Sequence, residues 1–130
     1  MNSGVSLDLL IETGNCCVHA MITGAPQRLT SFTLYEDATH AGSVEGVPKN
    51  KNRCSTNVPK LRYSSEVTVS TNGTLLFQDF QGQSAGGNRQ LFGDSEIVLA
   101  ANTTYLIKGF NNATSAGIIA VGLDFYETLP

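Results

Sequence analysis

The chain has no tryptophan, few charges and no apolar run long enough to cross a membrane as a helix. Each absence removes a class of function. Only 15% of the 130 residues are charged, against about a quarter in an average soluble domain. The surface is expected to be rich in Ser, Thr, Asn and Gln, and a surface so poor in charge is better suited to an assembly than to free solution. Two histidines and three cysteines leave little from which to build a metal site. Cys16 and Cys17 are adjacent, so in a strand they point to opposite faces and cannot grip one zinc; at least one of them is expected in the core. An odd cysteine count, with no basic start or apolar core of a secretory signal in residues 1–8, points to a cytosolic product with reduced thiols.

Helical periodicity is also missing. What recurs is short runs of β-branched and aromatic residues punctuated by Gly, Pro, Asn and Ser. Strands are expected at residues 5–12, 16–23, 29–36, 62–70, 74–80, 96–100, 104–110 and 118–127. In the last, Ile119, Val121, Leu123 and Phe125 alternate with Ala120, Gly122, Asp124 and Tyr126, which predicts a central strand with one buried face. Asn72-Gly73 can fill the two φ > 0 positions of a type I′ hairpin, with Val69 facing Leu76 and Thr68 facing Phe77. Two connections, 37–60 and 81–94, are long enough to be functional. Eight strands, two long connections and no helix fit an all-β jelly roll or Greek-key sandwich. At 130 residues, one domain over 1–130 buries roughly two thirds of its unfolded surface.

The net charge of −3 hides an uneven distribution. Lys49, Lys51, Arg53, Lys60 and Arg62 fall within 14 residues that contain no acid, while the remainder carries three bases, Arg89 among them, against eleven acids. One basic loop therefore sits on an acidic body. No aromatics interleave between Lys49 and Lys60, so docking on an acidic protein surface is favoured over nucleic acid.

No arrangement of residues suggests catalysis. His19 reads as a partly buried strand residue and His40 as a solvated loop residue. Asp94 and Glu96 read as solvated edge carboxylates, since a lone pair does not establish the converging acids of a glycosidase. Asn72, Asn102 and Asn112 begin Asn-x-Thr triplets and read as turn residues. Tyr35, Tyr63, Tyr105 and Tyr126 are scattered over different strands, which suits packing better than a sugar platform. No enzyme, cofactor or metal is expected, and no membrane partner.

Several segments together resemble the jelly-roll capsid cement, or decoration, proteins of tailed bacteriophages. They are Leu34-Tyr35-Glu36, the Lys- and Asn-bearing loop ending near Asn52-Arg53, Gly73-Thr74-Leu75-Leu76-Phe77, Gly86-Gly87, the run from Leu99 through Asn102 to Tyr105-Leu106, Asn111 and Phe125-Tyr126-Glu127. The resemblance spans residues 29–127. It implies a virion protein on the outer capsid surface, assembled in the bacterial cytoplasm, with the major capsid protein and neighbouring copies of itself as partners. The basic residues, with Arg89, would lie at that interface. A receptor- or glycan-binding module of a tail or fibre is the alternative.

Overall fold

Alternation of large apolar and polar side chains gives strands that are greasy on one side, and two such sheets bury their apolar faces by stacking. The computed structural model describes residues 6–26, 29–66, 68–81, 89–93, 96–112 and 119–128. In them the chain forms β1 (Ser6–Glu12), β2 (Cys17–Pro26), β3 (Thr30–Glu36), β4 (Thr39–Ala41), β5 (Arg62–Ser64), β6 (Thr68–Thr71), β7 (Thr74–Gln81), β8 (Arg89–Gln90), β9 (Ile97–Leu99), β10 (Thr104–Asn111) and β11 (Ile119–Thr128). All pairings are antiparallel, and none of the described residues is helical.

One sheet runs β5-β1-β10-β3-β7; the second runs β11-β2-β8, with β9 also pairing β2. Their inner faces interlock. Val18, Ala20 and Ile22 of β2 and Leu99 of β9 pack with Ile11, Phe32, Leu34, Tyr105 and Ile107 of the larger sheet. Ile119, Val121, Leu123 and Phe125 of β11 pack half-buried on the same cluster, so the face expected to be buried is the one turned to the core. The protein is an all-β sandwich.

A third, two-stranded sheet, β4-β6, lies over part of the outer face of the larger sheet. Ala38 and Val44 beside it close with Leu10 and Leu106 into a second small core, against which Tyr35 and Val69 pack. This explains why β10 is apolar at consecutive positions, Tyr105, Leu106 and Ile107: it is covered on both faces. His40 is correspondingly no solvated loop residue. It lies in β4, its Nε2 3.0 Å from Glu12 Oε1 and its Nδ1 3.0 Å from the Gly42 carbonyl.

Four further expectations need correction. The run 62–70 is two strands, because a bend at Ser65 and Glu66 sends β5 to β1 and β6 to β4. The Asn72-Gly73 hairpin does not form: β6 pairs β4 while β7 pairs β3, placing Val69 opposite His40 and Phe77 opposite Leu34. Only Gly73 takes the positive φ, 88°, and a Cβ there would lie 2.2 Å from the Glu36 carbonyl oxygen. It is a close crossing between sheets, not a hairpin tip. Cys16 and Cys17 are both half-buried and neither belongs to the core. Finally, β11 is an edge strand, paired with β2 alone among the described residues.

Tyr105 ties the layers by its hydroxyl, which donates to Glu36 Oε2 at 2.7 Å and accepts from the Ala100 N–H at 2.8 Å. Burial, then the neighbouring Glu36 carboxylate, pushes the phenol up to about 12. A raised folded-state value favours folding below the unfolded value near 10, and that contribution is lost as pH rises through about 12. Tyr105→Phe is expected to cost about 1–2 kcal/mol at neutral pH and to flatten the decline in stability across that alkaline window, as checked by urea unfolding at stepped pH.

Candidate protein-interaction surfaces

Of the basic residues singled out in the sequence, the structure gathers those of the loop but divides them by role. Arg62 is turned inward on its own backbone, Nη1 donating to the Pro59 carbonyl at 2.7 Å and the Leu61 carbonyl at 2.9 Å. Lys51 Nζ meets Asp124 Oδ1 at 2.7 Å, with both side chains exposed, a pair worth about 0–1 kcal/mol. Lys60 is exposed, but its backbone N–H is held by the Glu127 carboxylate at 3.0 Å. Lys49 and Arg53 are exposed and have no partner among the described residues. Arg89 lies in β8 opposite Gly24, away from the loop in the sheet order, and its side chain is outside the described residues.

The loop is stiffened locally. Asn50 Oδ1 accepts from Asn52 N at 2.9 Å, Asn52 Oδ1 from Cys54 N at 3.2 Å, and Ser55 Oγ from Asn57 N at 3.1 Å. Short polar side chains that cap their own backbone two residues on build consecutive turns, here around Arg53.

Glu127 is the residue that sequence reasoning missed. Its carboxylate accepts from both Lys60 N and Leu61 N, the latter at 3.1 Å. Leu61, fully buried, is thereby set into the main core. It narrows the seam between β1 and β11, where a cavity of about 230 Å³ lined by Leu9, Pro48, Leu61 and Leu123 among others remains, beside a recess of about 430 Å³ between the loop and Leu123, Phe125 and Glu127. Glu127 continues the inward-facing alternation of Ile119 to Phe125, and a glutamate at the end of an apolar face gives no hint in sequence of the loop it will hold.

The opposite seam, where β7 and β9 end their sheets, is closed in part by the chain's own segment after β8: Leu91 is fully buried in the main core, and its N–H donates to the Ile22 carbonyl at 2.7 Å. A recess of about 550 Å³ lies there, floored by Leu76, Phe77, Phe92 and Ile97 and bordered by Glu36 and Glu96. Phe77 is 43% exposed although its strand position faces the sandwich interior. Phe77 and Phe92 sit with ring centroids 6.2 Å apart, and Asp79 Oδ2 accepts from Phe92 N at 3.2 Å, anchoring the segment after β8 to β7.

On the outer face of the smaller sheet, His19 stacks on Tyr126 with ring centroids 4.6 Å apart. Its Nδ1 is 2.8 Å from Glu96 Oε1 and its Nε2 is 3.0 Å from Thr128 Oγ1; the Tyr126 hydroxyl donates to Glu96 Oε1 at 3.1 Å. The His19 hydrogen bond holds the Glu96 carboxyl below the usual range, with Tyr126 adding and burial opposing, and the Glu96 bond raises the Tyr126 phenol. All four groups thus have partners within the cluster. Among the described residues, no three His, Cys, Asp or Glu side chains gather as a metal site requires, and no helix is long and apolar enough to span a membrane.

Comparison with protein-family models, curated proteins and solved structures returned no match.

Glu127→Ala is expected to cost about 1–3 kcal/mol, because it orphans the buried Leu61 N–H, and to speed amide exchange across residues 49–61 selectively. Urea unfolding and hydrogen–deuterium exchange measure the two effects.

Proposed function

We propose that the protein is a non-enzymatic structural component of a phage virion, a cement protein that binds the outer surface of the major capsid protein lattice. The observation that carries this reading is the clamped basic loop, which offers Lys49, Arg53 and Lys60 to a partner from a stiff support bound to the β11 edge through Glu127 and the Lys51–Asp124 pair. Cations held in this way steer a protein onto an acidic surface and fix its register there. The resemblance of residues 29–127 to cement proteins supports the same reading.

A shell under pressure from packaged DNA gains from small β domains that bridge neighbouring subunits. If each copy buries about 800 Å², repetition over a closed lattice makes a modest contact durable. A small sandwich with the β11 edge covered by the protein's own loop suits that duty, since covered edges resist unwanted pairing.

Lys49→Glu combined with Arg53→Glu is expected to reduce occupancy on stripped capsids several-fold at moderate ionic strength. Added salt should weaken the binding of the unaltered protein and leave that of the variant little changed. Quantitative rebinding followed by sedimentation reads both; undiminished occupancy of the variant rejects the loop as the docking element.

A second reading, a glycan-binding module of a tail or fibre, is favoured by the half-exposed Tyr126 ring beside the Glu96 carboxylate on an outer sheet face. Aromatic faces with a nearby carboxylate suit sugar rings and their hydroxyls. A glycan array with unaltered protein and Tyr126→Ala separates the two readings.

A further inference from the structure

Asn72-Gly73 joins β6 to β7 without making a hairpin, and this leaves its backbone unusually open to reaction. In a type I′ turn the flanking strands pair with each other and hold the turn between them. Here the two strands go to different sheets, and the Gly73 N–H has no hydrogen-bond partner among the described residues. Asn72 is the one asparagine of the chain that glycine follows, so no Cβ shields that nitrogen.

The Asn72 side chain is presented to a cation. Lys108 shares the outer face of β10 with the buried Leu106, and its Nζ donates to Asn72 Oδ1 at 3.4 Å. The same ammonium lies 3.8 Å from Asp8 Oδ1, a buried oxygen that accepts no hydrogen bond. Asn72 is half-buried, and its Nδ2 has no partner among the described residues. A polarised amide oxygen, a free amide nitrogen and an unbonded main-chain nitrogen on the next residue are what deamidation requires.

We propose that Asn72 is a site of spontaneous covalent modification, intramolecular deamidation through a succinimide, assisted by Lys108. Hydroxide removes the Gly73 amide proton, and the nitrogen attacks Asn72 Cγ. As the N–Cγ bond forms, the carbonyl electron pair moves to Oδ1, where the Lys108 ammonium stabilises the developing oxyanion. Collapse breaks the Cγ–Nδ2 bond; the leaving nitrogen takes a proton from water, departs as ammonia and regenerates hydroxide. Water then opens the ring at one of its two carbonyls. Nothing is oxidised or reduced, and the net change is water in and ammonia out.

The fold treats the two products differently. Opening at Cγ restores the main chain and leaves an aspartate whose carboxylate meets Lys108. Opening at the main-chain carbonyl leaves isoaspartate, which lengthens the chain by one methylene beside a crossing without slack: a Cβ on Gly73 would lie 2.2 Å from the Glu36 carbonyl oxygen and 2.7 Å from the Asp37 carbonyl carbon. The longer chain displaces β6, whose Val69 packs against Leu10 and Leu106. Deamidation is thus a slow, one-way loosening of the β4–β6 sheet, and it is independent of the capsid reading.

Peptide mapping by mass spectrometry, after incubation of the full chain at mildly alkaline pH, counts aspartate and isoaspartate at position 72. Conversion is expected ahead of every other asparagine and in proportion to hydroxide. Lys108→Met and Lys108→Gln should slow it several-fold in the folded protein and leave it unchanged in urea, where the dipeptide reacts unaided. Amides of residues 68–71 should exchange several-fold faster in the isoaspartate fraction than in Asn72→Asp. The proposal is overturned if the folded protein keeps Asn72 intact over a period that converts the unfolded chain, or if both folded Lys108 variants react as fast as the unaltered protein. Equal exchange in the isoaspartate fraction and Asn72→Asp overturns the loosening.

Discussion

Everything in this protein depends on keeping water out of the space between two stacked sheets whose strands run out at both sides. A closed barrel would solve this with continuous hydrogen bonding, but a sandwich leaves two seams where inner-face side chains meet solvent. At the β1/β11 seam the answer is covalently attached: the loop after β4 lays Leu61 into the gap and Glu127 fixes the backbone around it. The contact couples sequence positions 66 apart, which makes the loop part of the fold and only secondarily a surface feature. Without that carboxylate, two N–H groups would have to give up water for no partner, at a cost comparable with the net value of burying the leucine.

The central strands could be read from the sequence because their pattern is a local consequence of burial. β2 buries Val18, Ala20, Ile22, Gly24 and Pro26 in strict alternation, and β11 sends Ile119 to Phe125 inward as its period requires. Pairing is not local, and there the pattern misleads. Asn72-Gly73 is a strong hairpin sequence, yet β7 gains more from seven register pairs with the longer β3, while Val69 of β6 is needed to close the second core over Leu10 and Leu106. Tertiary burial outweighs the turn preference, and Gly73 serves the crossing instead. The edge position of β11 was hidden for a similar reason: an edge strand covered by a loop carries as apolar a face as a central one.

The basic run shows how little a charge count says about a site. In the sequence Lys49, Lys51, Arg53, Lys60 and Arg62 are equivalent. In the fold Arg62 braces the Pro59 and Leu61 carbonyls, Lys51 answers Asp124 from across the edge, and only Lys49, Arg53 and the Lys60 side chain present cations outward. That division is set by Asp124 and Glu127, both far along the chain. The Asn and Ser residues between the bases were the readable part, since their preference for capping turns is local and is realised at Asn50, Asn52 and Ser55.

The two seams are closed by the same means. At one, Leu61 enters the core while Glu127 takes the Lys60 and Leu61 N–H groups; at the other, Leu91 enters the core, its N–H bonded to the Ile22 carbonyl, while Asp79 takes the Phe92 N–H. In each case a carboxylate on an edge strand holds the backbone beside a buried leucine, because a segment that crosses a seam leaves the ladder that would otherwise satisfy its N–H groups. Neither closure is complete: Leu123 and Phe125 stay half-buried on one side and Phe77 is 43% exposed on the other, at about 25 cal/mol for each Å² of apolar surface left in water.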